Sequence, residues 1–169
     1  NSGIFPTKGM LQQIRVEMAT PPGDLEYWKV DYDSKIFIPI YKQYVLLFKT
    51  QIGYGDSYGE TFELPFFENF YSGGPRTVRG YEESSLGPKD QFGDSLGGNL
   101  AVVGNAELII PIPGLQELKS VRLTAFFDAG NVFATKGTFF SNPEEFDFGQ
   151  LRLSTGLSGV WLSPFGMLS

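Results

Sequence analysis

The chain has 169 residues, 41% of them hydrophobic, with no cysteine, no histidine and a formal charge of −6. Without cysteine there is neither a disulfide framework nor a thiolate metal site, and without histidine the commonest general base and metal ligand is missing. The 19 Asp and Glu against 13 Lys and Arg argue against a nucleic-acid partner, and no apolar run reaches the roughly 18 residues of a membrane helix, which leaves a membrane barrel open.

Strict alternation dominates the chain. From Met10, the even positions Met10, Ile14, Val16 and Met18 oppose Gln13, Arg15 and Glu17. The second run sets Trp28, Val30, Tyr32, Ile36 and Ile38 against Lys29, Asp31, Asp33 and Lys35. A third, from about Tyr44 to Tyr54, places Tyr44, Leu46, Phe48 and Ile52 opposite Lys49 and Gln51. A fourth, Asn99 to Ile110, opposes Leu100, Val102, Ala106 and Leu108 to Asn105 and Glu107. A fifth, Ser120 to Val132, opposes Leu123, Ala125 and Phe127 to Arg122, Thr124 and Asp128. A sixth, Gln150 to Leu162, opposes Leu151, Leu153, Leu157 and Trp161 to Arg152, Ser154 and Ser158. Period two with charge on one face is a two-faced strand.

These strands are about twice the roughly 5–6 residues of a typical globular strand, and they match the ~9–11 residues that cross a bilayer at a tilt. Trp28, Tyr44, Tyr54, Phe133 and Trp161 stand near strand ends, where an interfacial girdle belongs. A soluble sandwich or lipocalin-like barrel also alternates; strand length favours the membrane reading. Thr20 to Asp24 reads as a short Pro/Gly loop, Pro39 to Gln43 as a tight return, and Pro111 to Gly114 as the opening of a third connection. The 21 Gly agree with many turns. The chain opens Asn1-Ser2-Gly3 without Met and closes on Pro164 to Ser169, which reads like a new strand, so a fragment of a longer protein is expected.

Residues 56–98 carry no period. They contain Phe62, Phe66, Phe67, Phe70, Tyr71 and Tyr81, too many aromatics for a disordered linker, so an ordered, packed loop is expected. Arg79 sits near its middle. Arms of about 20 residues reach roughly 60 Å when extended. The apolar band of a barrel is ~25 Å tall, so the tip can fold well below the rim. A guanidinium there needs carboxylates, and parity puts Glu107 and Asp128 on the polar face. A symmetric turn about Leu115 would pair Glu107 with Leu123 and leave Asp128 about 16 Å further along. One arginine holds both only if the connection is asymmetric, bulged or strongly tilted.

The stretch Glu68-Asn69-Phe70-Tyr71-Ser72-Gly73-Gly74-Pro75-Arg76-Thr77-Val78-Arg79-Gly80-Tyr81 resembles the long extracellular loop of the BamA family of outer-membrane protein assembly factors. The hallmark is Val78-Arg79-Gly80-Tyr81. Leu86-Gly87-Pro88-Lys89, Asn105-Ala106-Glu107-Leu108, Phe126-Phe127-Asp128-Ala129-Gly130 and Trp161-Leu162-Ser163-Pro164-Phe165-Gly166 follow in family order, and Phe5-Pro6-Thr7-Lys8-Gly9 fits a strand start. The resemblance spans essentially the whole chain. It implies an all-β, antiparallel transmembrane barrel fragment over 1–169: about six strands, nine to fourteen, of a sixteen-stranded barrel. Residues 56–98 would be its one long inward-folding loop. The same resemblance names Glu107 and Asp128 as anchors of Arg79. The chain departs from the family in being incomplete at both ends and in a loop shorter than some members carry after Gly87.

Other chemistry is weakly supported. Gly73, Gly74 and Gly80 suit turns or close approach, and no Gly-Lys-Ser/Thr context supports phosphate binding. Glu82-Glu83 and Glu144-Glu145 read as solvated acids. Glu107 and Asp128 as a hydrolytic pair would require a raised pKa on one of them, which an arginine between them opposes. No enzyme activity, cofactor or metal is expected. The resemblance implies the barrel portion of an insertase in the Gram-negative outer membrane, with a lateral seam, local bilayer thinning and strand templating of the client. Its partners would be the lipid bilayer, nascent outer-membrane β-barrel proteins and, mainly through periplasmic domains, the lipoproteins of the assembly machinery. The alternative is a two-partner secretion transporter of the same superfamily; a soluble barrel binding module is a third reading. Six strands at ~4.8 Å spacing fall short of the eight that close a membrane barrel, so self-association through open edges is a further expectation.

Overall fold

A computed structural model describes residues 6–111, 121–136, 146–163 and 166–168. The side chains of 121, 122, 160–163 and 166–168 are not described, so Trp161 as a girdle residue lies outside the account. The opening residues 1–5, the connection around Leu115 and the acidic pair Glu144–Glu145 also lie outside it.

The chain is a single antiparallel meander. Its strands are β1 (Gly9–Ala19), β2 (Tyr27–Tyr41), β3 (Tyr44–Ser57), β4 (Leu100–Ile110), β5 (Val121–Phe133), β6 (Arg152–Ser163) and β7 (Gly166–Leu168), in that order across one open sheet. The first six are the strands that alternation identifies, and β7 falls where the sequence begins a new strand. Two one-turn 3-10 helices, Phe66–Glu68 and Phe148–Gln150, sit in the connections.

Two boundaries differ from the sequence reading. β2 continues through Pro39 to Tyr41, so the return is only Lys42 and Gln43. Pro39 cannot donate to the ladder; the register shift between Pro39 and Tyr41 absorbs it, and Lys42 turns the chain with φ 49°. β3 runs on to Ser57 and β4 starts at Leu100, so the long connection leaves the sheet after Ser57. Ala19, Ser57 and Phe133, the last residues of β1, β3 and β5, lie at one end of the sheet, and the Lys42–Gln43 turn at the other.

The β4–β5 register also differs from the symmetric-turn expectation. Glu107 lies opposite Phe126, and Asn105 opposite Asp128, a slide of three residues from a turn centred on Leu115. Side-chain parity explains the shift. A symmetric turn would place Glu107 of the polar face beside Leu123 of the apolar face, whereas paired residues must share a face.

The two faces differ in what covers them. On the outer face Met10, Ile14, Val16 and Met18 of β1, Phe48 and Ile52 of β3, Phe127 of β5 and Leu153 and Leu157 of β6 are exposed. The inner face holds the charged set, and segment 58–99 lies against it, burying Val78, Leu86, Val103 and Asp128. Of the proposed girdle, Trp28 and Tyr54 meet edge to face at 5.5 Å near the long-loop end, and Tyr44 is exposed at the other end. Phe133 does not join them. It is fully buried against Phe146, because the chain before β6 folds back over it.

Candidate functional site

The site is built by a turn resting on three strands. Gly73 N–H donates to Thr77 Oγ1 (2.9 Å), which donates in turn to Gly73 O (2.9 Å), and Gly74 N–H donates to Val78 O (3.1 Å). These bonds close a tight turn and point its C-terminal side at the sheet. Val78 is wholly buried against Leu86 and Val103, with half-buried Tyr81 beside them. The wall beneath is glycine: a Cβ on Gly130 would stand only 3.0 Å from Val78 Cγ2. Gly80, with φ +84°, supplies the left-handed residue that carries the chain over Ser154 of β6. Tyr81 then donates its hydroxyl to Leu153 O at 3.2 Å.

Arg79 lies between the two predicted carboxylates. Its Nε donates to Asp128 Oδ2 (2.7 Å) and its Nη2 to Asp128 Oδ1 (2.7 Å), a bidentate fork. Its backbone N–H adds a third bond to Asp128 Oδ2 at 3.0 Å. The same Nη2 reaches Glu107 Oε1 at 2.9 Å. The register makes this dual contact feasible: Asp128 sits one step diagonally from Glu107, not the 16 Å that a symmetric turn would impose. Burial works against the guanidinium's charge, but the hydrogen bonds and nearby charges of Asp128 and Glu107 outweigh it and raise the Arg79 pKa above its ordinary value.

Three further residues complete the site, none of them singled out by the sequence reading. Asn105 Nδ2 donates both to Asp128 Oδ1 (2.8 Å) and to Thr77 O (2.6 Å), tying the carboxylate to the turn. Lys49 of β3 donates to Glu107 Oε1 at 2.7 Å, so Glu107 is shared by two cations and the four charges balance. The guanidinium stands over the Phe126 ring, 3.8 Å from Cζ to ring centroid. Parity already placed Lys49 and Asn105 on the polar face; what it could not supply was which residues the loop meets, and Phe126 entered only as part of the family motif. Glu82 and Glu83 stay in the loop, and Glu83 pairs with Arg76 at the surface (3.0 Å).

No group of three or more metal-ligating side chains occurs among the described residues. A forked arginine on a buried aspartate is chemically a clasp: it fixes geometry and holds charge.

The domain model that describes the Omp85 superfamily matches residues 1–169. The chain belongs to the Omp85 superfamily. It is 37% identical to the outer membrane protein assembly factor BamA of Neisseria meningitidis serogroup B over 98% of its length, and 30% identical to BamA of Nitratidesulfovibrio vulgaris over 96%. It is 33% identical to the mouse sorting and assembly machinery component 50 homolog over 78% of its length. The crystal structure of BamA from Haemophilus ducreyi lacking POTRA domains 1–3 superposes with a TM-score of 0.85 at 29% identity, covering 99% of this chain. The chain spans 24% of the Neisseria relative and 35% of the Haemophilus one, so it corresponds to a BamA-type barrel fragment. The bacterial relatives are outer-membrane assembly factors by name, not enzymes.

Proposed function

We propose that this Omp85 chain is the barrel portion of an insertase that folds and inserts β-barrel proteins into the Gram-negative outer membrane. In this reading Val78-Arg79-Gly80-Tyr81 is the loop's latch and Glu107 and Asp128 are its anchors in the lumen. The work is done on the bilayer and on client strands, with no covalent step. An unpaired strand edge recruits a client strand through its free N–H and C=O groups, and the latch keeps the wall rigid while the seam works. The nascent outer-membrane protein and the lipid are the direct partners; lipoproteins of the machinery engage periplasmic parts of the longer protein.

The observation that carries the proposal is the Arg79 fork on fully buried Asp128, within a chain of this family. Its test is Arg79→Ala in the full-length protein. The barrel should lose its heat-resistant electrophoretic form at a lower temperature, and the cell should hold less of its outer-membrane clients. Unchanged heat-modifiability together with unchanged client levels would refute the latch.

A further inference from the structure

The root of the loop carries a second set of contacts, on β2 and β3, well away from Arg79 in sequence. Lys29 lies directly opposite Glu17 in the β1–β2 ladder, its natural cross-strand partner. Its ammonium goes elsewhere: Nζ donates to Glu68 Oε2 of the loop at 3.1 Å, while Glu17 receives the Tyr27 hydroxyl at 3.0 Å. The Lys29 and Glu68 side chains are only 14% and 21% exposed, so this is no surface pair. The same Nζ stands 4.7 Å from the centroid of the Phe70 ring.

Phe70 in turn has a seat. A Cβ on Gly53 would overlap its ring, with Cδ1 at 2.8 Å, and a Cβ on Gly55 would press on Lys29 Cγ at 3.0 Å and Leu64 Cδ2 at 3.1 Å. Two glycines on one face of β3 thus form a trough that receives Phe70, Leu64 and the Lys29 stem. Phe70 and Gly98 exchange backbone hydrogen bonds of 2.8 and 3.0 Å, and Asn69 Nδ2 donates to Leu96 O at 3.0 Å, so both limbs of the loop are tied together at this level.

We propose that Lys29 and Glu68, with Phe70 seated on Gly53, are a second clasp that positions the loop's root independently of the Arg79 fork. The two clasps divide the labour. Lys29–Glu68 sets where the loop enters the lumen, and Arg79 fixes where its tip ends. The proposal rests on the latch reading only in taking the loop to lie against the inner wall. Lys29 and Glu68 are positioning residues; they touch no client.

The test is hydrogen exchange on the full-length protein in lipid nanodiscs, read over residues 66–72 and 76–81. Glu68→Gln or Lys29→Met should speed exchange over 66–72 by about five-fold, the scale of a modest partly buried ion pair, with a smaller change over 76–81. Because Glu17 faces Lys29, the charge swap Lys29→Glu with Glu68→Lys is made in a Glu17→Gln background, where it should restore protection, which a purely steric role would not allow. Gly53→Ala should loosen 66–72 with every charge intact. Arg79→Ala should act in reverse, loosening 76–81 more than 66–72. Wild-type exchange over 66–72 in Glu68→Gln, or a swap as loose as the single variants, overturns the second clasp. An Arg79→Ala protein with 76–81 still protected would instead sink the latch and leave the second clasp standing.

Discussion

On β6, Leu153 and Leu157 stand 56% and 72% exposed, while on the opposite face of its neighbour β5, Asp128 is fully buried under the loop. Outer-face side chains such as Ile14 and Val16 have no cover, yet the inner-face charges beneath the loop, Glu107 and Asp128, are buried, paired and hydrogen-bonded. In water this arrangement would be inside out. It is consistent only with a solvent that welcomes leucine on one face and a polar interior on the other, which is the condition of a membrane barrel wall. The difference teaches what each face can tolerate: the outer face is set by the bilayer, the inner face by specific partners.

The sharpest way to break this comparison is to remove a partner from the inner face. Asp128→Ala leaves the Arg79 guanidinium enclosed without its fork and strips Asn105 of an acceptor. Thermal unfolding in detergent should show a loss of about 3–5 kcal/mol, the range for breaking a buried pair. The next effect belongs to the outer face. Leu157→Arg should cost about 2–4 kcal/mol if it lies near the bilayer midplane, while Gln13→Arg on the inner face of β1 should stay within about 0.5 kcal/mol. Equal costs for the two would remove the distinction between faces.

The smallest effect lies at the rim, where Lys136, beyond the end of β5, pairs with Asp56 near the end of β3 at 2.6 Å and the lysine side chain is 61% exposed. The hydrogen bond from its ammonium to Asp56 raises the lysine pKa. A raised lysine contributes its stability fully below the unfolded value of about 10.4 and loses it as pH rises through the folded value. Lys136→Ala should therefore lower stability slightly at neutral pH, and the gap to wild type should close as pH rises through the folded value.

Much of this wall was legible because a strand records its faces residue by residue. Parity alone put Lys49, Asn105, Glu107 and Asp128 on one side. The β4–β5 register was harder, because a symmetric turn about Leu115 seemed the simplest geometry, although the same parity forbids pairing Glu107 with Leu123. The family resemblance supplied the choice of Glu107 and Asp128 as anchors. The loop's other contacts were not legible. Glu68 and Phe70 follow no period, and nothing in the sequence of β3 announces Gly53 as a seat until the ring is seen lying on it. Phe133 misled for a related reason: its position at a strand end suited a girdle, but a distant segment bearing Phe146 buries it.

Residues 1–169 contain no cysteine, so within this chain an introduced pair at the latch has no competing thiol. A Cβ on Gly80 would stand 3.8 Å from Ser154 Cβ, the mean separation of a disulfide. Gly80→Cys costs on the order of 1–2 kcal/mol at its positive φ, which leaves the approach of the two residues intact. The most direct measurement is the yield of the Gly80→Cys, Ser154→Cys disulfide in the full-length protein in its membrane, with and without Arg79→Ala. A latched loop predicts high yield under mild oxidation with Arg79 present and a clear fall without it. Absence of the cross-link, or a yield indifferent to Arg79, would contradict the account.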